Sequence, residues 1–144
     1  MADSARRAEY FYTRVPDRPG EGVKVLASIK KAGINLIAFS GFPDKDGTAQ
    51  LDLVVPDGAA LREAAARAGF PIVGPRPCFL IEGDDRAGAV ADMLAKLAPA
   101  NVSVTALDAI RTGSRFAALL FVKPEDVART GKALGVTEAV TQAA

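Results

Sequence analysis

Residues 15–39 read VPDRPGEGVKVLASIKKAGINLIAF. The fold and the function both turn on this stretch. A strand ending near Val15 runs into Asp17-Arg18-Pro19-Gly20, an apolar stripe of Val23, Leu26 and Ile29 (with Val25 flanking) follows at helical spacing, and Gly33-Ile34-Asn35 opens a second strand. The stripe has the period of a helix with one buried face. Asp17 and Pro19 stand where a helix start is signalled, and Gly33 where a helix stops. The stretch predicts strand 9–15, a helix from Pro19 to Ala32, and a strand from Ile34 to Phe42.

Slid by 68 residues, the chain matches itself. DRPG at 17–20 falls on DRAG at 85–88, and the shift runs without a gap from Phe11/Phe79 to Asp57/Glu125, with 12 of 47 positions identical. Period-two apolar runs coincide as well, Ile34-Leu36-Ala38 with Val102-Val104-Ala106 and Ala49-Leu51-Leu53 with Ala117-Leu119-Phe121, as expected of strands with one face in a core. The pattern is an internal duplication. Each copy reads βαββαβ. In the first, a hairpin at PDKDG joins strands 34–42 and 48–55, a helix runs from Pro56-Asp57-Gly58 to about Ala68, and a short strand sits near 72–73. In the second the elements are strand 78–83, helix 87–98, strands 102–110 and 115–122, helix 124–134 and a last strand near 137–141. The fold class is therefore α+β, two ferredoxin-like βαββαβ modules over 9–74 and 77–142, each an antiparallel sheet with helices on one face. Gly74-Pro75-Arg76-Pro77 reads as a stiff linker.

Composition narrows the function. The 144 residues include no histidine and one cysteine, Cys78, with 18 basic against 17 acidic side chains. Without histidine there is no Ser-His-Asp relay, no Cys-His pair and no common zinc site. The carboxylates lie scattered in turns, so a non-enzyme without metal or cofactor is expected. A net charge of +1 gives no basic face for nucleic acid, and an RNA-reading sheet would have only Tyr10, Tyr12 and Phe39 to stack bases. No run approaches the ~18 apolar residues of a membrane span, and the first ten residues lack a signal peptide's apolar run. A soluble, cytoplasmic protein is the expectation.

The Asp17–Phe39 segment resembles the signature of ACT domains, small regulatory modules that bind amino acids and related effectors. In that family a D-R-x-G turn enters the first helix and a G-I-N-I-like segment begins the second strand. The first copy matches at Asp17, Arg18, Pro19, Gly20, Gly33, Ile34 and Asn35. The second departs, with Ala87 for the proline and Ser103 where Asn35 stands. The resemblance implies a tandem ACT protein whose effector sits where the turn of one module meets the second-strand region of its partner module. It carries ligand contact to Asp17, Arg18, Pro19, Gly20, Glu21, Gly22 and Asn35, and in the second copy to Asp85, Arg86, Gly88 and Asn101.

A helix start offers unpaired N–H groups and partial positive charge to a carboxylate. Gly20 and Gly22 let a ligand approach the backbone, and the Asn35 amide can serve an α-amino or α-carboxyl group. Each residue also has a plainer reading. Asp17 and Asp85 read as N-caps, worth roughly 0.5–2 kcal/mol. Arg18 and Arg86 read as solvated turn residues, and Asn35 as a strand-edge side chain. Arg111, Arg115 and Lys45 read as solvent-facing. The alternative at the level of the whole chain is a structural or protein-interaction module that has lost its ligand.

The expected sheet faces carry the last inference. If Phe11, Ile34, Leu36, Leu51 and Leu53 face the helices, alternation turns Tyr10, Tyr12, Ile37, Phe39 and Val54 the other way, and Leu80, Leu107, Leu120 and Val122 in the second copy. Such an apolar face wants a cover. Either the two modules stack their sheets, or a joined sheet packs on a second chain; the short linker favours the second, a homodimer.

Overall fold

The computed structural model describes residues 3–136. Six strands and four helices follow one another as β1 (Ser4–Pro16), α1 (Glu21–Lys31), β2 (Ala38–Pro43), β3 (Thr48–Val55), α2 (Gly58–Ala68), β4 (Val73–Asp84), α3 (Ala89–Leu97), β5 (Val104–Thr112), β6 (Arg115–Val122) and α4 (Val127–Leu134), with a 3₁₀ turn at Pro124–Asp126 before α4. The chain divides into two compact units, one holding Glu9–Arg76, the other running from Pro77 and including the N-terminal residues through Ala8. Within the first unit the strands lie in the order β2-β3-β1-β4, and within the second β5-β6-β4-β1. Both are antiparallel ferredoxin-like layouts, as the repeat predicts.

Each unit buries one sheet face under its two helices. In the first, Phe11 of β1 and Leu51, Leu53 and Val55 of β3 meet Val25 and Ile29 of α1 and Leu61 of α2. In the second, Phe79 and Ile81 of β4 and Phe116, Ala118, Leu120 and Val122 of β6 meet Met93 and Leu97 of α3 and Val127 of α4.

Two strands are longer than the repeat predicts. The stretch 74–77 is strand, not linker: β4 runs through it from Val73 to Asp84. Gly74 lies against Tyr10 and Phe11 of β1 in the first unit, and the strand then continues as the opening strand of the second. β1 begins at Ser4, five residues before the expected start, and its Ser4–Ala8 portion takes the edge beside β4 in the second unit, where Ala5 packs on the core. The strand expected near 137–141 lies outside the described residues.

All four helices close alike. An N–H just past each helix reaches back to the carbonyl five residues earlier, Ile34 to Ile29 at 3.2 Å, Phe70 to Ala65 at 3.1 Å, Val102 to Leu97 at 3.2 Å and Val136 to Gly131 at 2.7 Å. This closure requires a left-handed residue just before that N–H, and Gly33, Gly69, Asn101 and Gly135 supply it with φ of 75°, 81°, 57° and 78°. It ties Ile34 to the end of α1, so β2 starts four residues later than expected, at Ala38.

Ile34 and Leu36 still pack on the helix-side core, but the alternation breaks between Leu36 and Phe39, in the irregular backbone that precedes β2. Phe39 pairs with Leu53, and directly opposed residues share a face, so Phe39 stands on the helix-bearing side, not the far side. The second copy differs again. Five residues separate the paired Pro43 and Ala49, but only four separate the paired Arg111 and Phe116. A one-residue change in a hairpin turns every later side chain over. The equivalence of β3 with β6 is accordingly 67 residues, with Phe11↔Leu53 answered by Phe79↔Leu120, and the gapless shift of 68 fails there. Leu120 and Val122 therefore join the helix-side core, Leu107 packs on it, and Leu119 and Phe121 take the far face. Val54, Leu119 and Phe121, on the far faces, are nonetheless buried within the chain.

Candidate functional site

The turn between β1 and α1 is held by backbone. The Asp17 N–H donates to Gly47 O at 2.9 Å and the Arg18 N–H to Pro16 O at 2.8 Å. The cap of α1 is Gly20, three residues later than the expected Asp17, with φ 88° and no side chain accepting from the first turn. Such a φ suits glycine and strains other residues, which accounts for the G of D-R-x-G. The contrast with α2 is instructive, because Asp57 there accepts from the Ala60 N–H at 3.2 Å. The expected capping role of Asp17 is thus replaced by an opening that no side chain closes. Pro19 lies before the helix, outside its first turn. A Cβ built at Gly20 or Gly22 meets nothing within 4 Å. Glu21 holds Lys24 at 3.3 Å and Arg18 at 3.6 Å, while the Arg18 side chain stays 70% exposed.

The second unit repeats the turn with different side chains. Asp85 N–H donates to Ser114 O at 2.9 Å, and α3 is capped by Gly88 with φ 82° and no side-chain acceptor. Asp85 is therefore not the cap either; its carboxylate faces Arg111 at 3.5 Å. A cavity of about 270 Å³ opens here, lined among others by Asp85, Arg86, Gly88, Val90, Ile110 and Arg111. Arg86 is no solvated turn residue. Its guanidinium grips Asp3 through two bonds of 3.0 Å, reaches Asp92 at 3.0 and 3.3 Å, and donates to Asp84 O at 3.3 Å.

The Arg86 hydrogen bonds hold the Asp3 carboxyl below the ordinary carboxylate range, and Arg86 itself is raised. Elsewhere Arg14, 2.9 Å away, lowers Asp44 in the same way. A carboxylate depressed by folding stabilises the fold fully above its unfolded pKa, near 3.9 for aspartate, and loses that contribution as pH falls through the folded value. The melting-temperature gap between the parent and Asp3→Asn should therefore hold from neutral pH to about pH 4 and close below it. A gap unchanged at pH 2 would remove Asp3 from this role.

Asn35 is exposed and lies at the other end of α1, beside a cavity of about 340 Å³ lined by Leu26, Ile29, Lys30, Gly33, Ile34, Asn35 and Leu36. An 11-residue helix separates it from the Asp17–Gly22 turn by about 16 Å. Within one unit, the turn and Asn35 are two half-sites. Asn101 sits at the matching end of α3, where its left-handed backbone closes the helix and its carbonyl accepts from Arg129 at 3.4 Å.

Sequence reasoning missed Asp3. The available signal was Gly83, which stands where the first copy has Val15. The aromatic platform for RNA is also absent as drawn. Phe39 is on the helix-bearing face, and the guanidinium groups of Arg14 and Arg76 lie over the Tyr12 ring, 5.0 and 4.9 Å from its centre.

No protein-family model and no curated protein sequence matches the chain. Solved structures do. A protein from Bacteroides thetaiotaomicron is 18% identical with a TM-score of 0.79, each chain covered to 95%. The regulatory subunit of aspartate kinase from Thermus thermophilus is 16% identical with a TM-score of 0.67, covering 96% of this chain and 98% of its own. A putative C-terminal regulatory domain of aspartate kinase from Porphyromonas gingivalis is 14% identical with a TM-score of 0.55, over 93% and 94%. Among the described residues no helix is long and apolar enough to cross a membrane. At these identities the likeness establishes the fold, and that fold is one used by regulatory subunits.

Proposed function

We propose that the chain is a tandem ACT regulatory module that binds a free α-amino acid or a related small molecule and performs no catalysis. The observation that carries this reading is the Gly20-capped start of α1. No side chain caps its first turn, whose Glu21 N–H is held by the Arg18 carbonyl at 3.3 Å, and there is open space at Gly20 and Gly22. Arg18 stands beside them. A ligand carboxylate there meets the helix's partial positive charge and N–H donors. The amino group and side chain need a second surface, and Asn35 with its neighbouring cavity offers one. Because turn and Asn35 lie at opposite ends of α1, one ligand touching both draws them from two modules, as the ACT resemblance implies. Likeness to kinase regulatory subunits supports a role in controlling another protein.

A homodimer belongs to the same reading. Calorimetry against each of the twenty amino acids at millimolar concentration tests it, together with light scattering on the same sample. We expect heat and a raised melting temperature with one or a few of them, since a ligand of the folded state stabilises it, and a mass about twice 15.0 kDa. Silence from all twenty favours the module that has lost its ligand. A 15.0 kDa particle refutes the dimer.

A further inference from the structure

The two glycine-capped turns offer their arginines very differently. The Arg18 side chain is 70% exposed, and its one ion pair among the described residues is a 3.6 Å contact with Glu21. Arg86 has five N–H donors, and there is an acceptor for each. Nε faces Asp92, Nη1 faces Asp3 and the Asp84 carbonyl, and Nη2 faces Asp3 and Asp92. The Asp3 side chain is only 10% exposed. The backbone has made room for it, because a Cβ on Gly83 would fall inside the Asp3 carboxylate and 3.0 Å from the Phe116 ring. In the first copy Val15 fills the position of Gly83, so no equivalent seat exists there.

We propose that Asp3 is an internal carboxylate latch, a residue of the chain's own N-terminal strand that occupies Arg86 and closes the second turn to outside anions. Asp3 takes the forked, two-bond position that an external carboxylate would need on a guanidinium. Release of the Ser4–Ala8 strand from β4 would carry Asp3 away, free two Nη donors and open the turn. The latch makes one copy receptive and holds the other in reserve. Its consequence for an effector rests on the reading above; the latch itself does not.

Arginine labelling by phenylglyoxal, mapped by mass spectrometry, reads the latch without any ligand. In the parent chain Arg18 should label readily and Arg86 slowly. Losing a charge-assisted, two-bond partner should speed Arg86 labelling by about tenfold in Asp3→Asn and again in Gly83→Ala, with Arg18 unchanged as internal reference. Asp3→Asn is nearly isosteric and keeps the test available if the glycine change disturbs β4. Arg86 labelling at the parent rate in folded Asp3→Asn would overturn the proposal. A silent amino-acid screen would leave this result untouched, so the two readings fail separately.

Discussion

Phe11→Ala should remove about 3–5 kcal/mol from the stability of the fold, the range for emptying a buried aromatic site. The upper part of that range is expected, for a local reason. Phe11 is 1% exposed at the centre of the first core. Its ring edge lies close to the backbone of Gly58 and Gly74, where an added Cβ would come within 3.0 and 2.8 Å of ring carbons. Backbone fixed in α2 and β4 cannot relax into the hole as side chains could, so most of the cavity stays. Against a total of about 5–15 kcal/mol for an ordinary domain, the variant should unfold at a much lower urea midpoint. A loss under about 1 kcal/mol would contradict the place of Phe11 in the core.

Gly22→Val should abolish or weaken effector binding by at least about tenfold, roughly 1.4 kcal/mol, while leaving the fold nearly untouched. The structure separates these effects. A Cβ at Gly22 meets no protein atom within 4 Å, so stability should move by no more than about 0.5 kcal/mol. Any lost affinity then reports on space the ligand needs. The reverse change, Val90→Gly, should gain nothing. Val90 packs partly on the second core, so its removal costs packing, and Arg86 beside it is already engaged by Asp3 and Asp92. Titration of the four proteins (parent, each single variant and the double) against the amino acid found by the screen checks both statements. Equal occupancy of the two turns in the parent would overturn the asymmetry.

The repeat, the element order up to α4 (apart from the strand that replaces the expected 74–77 linker) and three boundaries were legible in the residues, because each rests on local chemistry. Asp57 caps α2, Gly69 ends it with φ 81°, and β6 spans 115–122 as its apolar run indicates. What failed was counting through irregular backbone. The irregular stretch between Leu36 and Phe39, the bulge between Val104 and Ala106, and the shorter second hairpin each shift parity, and none alters the hydrophobic composition of the strands. Phe39, Leu107, Leu120 and Val122 were misplaced for that reason alone. The turns were found, but their capping was misjudged. Asp17 looks like a cap by position, and only the φ of Gly20 shows that the helix begins later. Asp3 was missed because its partner lies 83 residues along the chain, and Gly83 in place of Val15 marks only the room for a side chain, not the residue that fills it.

The split loyalty of β1 has a temporal consequence. The part of the strand made first, Ser4–Ala8, belongs to the unit made last. Chains grow at about 5–20 residues per second, so Asp3 waits roughly 4–17 s before Arg86, 83 positions later, has even been joined to the chain. For that interval the nascent protein carries the strand end Ser4-Ala5-Arg6-Arg7-Ala8 without its neighbour, and it cannot seat it until ribosomal synthesis has passed well beyond β4. Slow stretches of translation between residues 77 and 122 would lengthen that exposure.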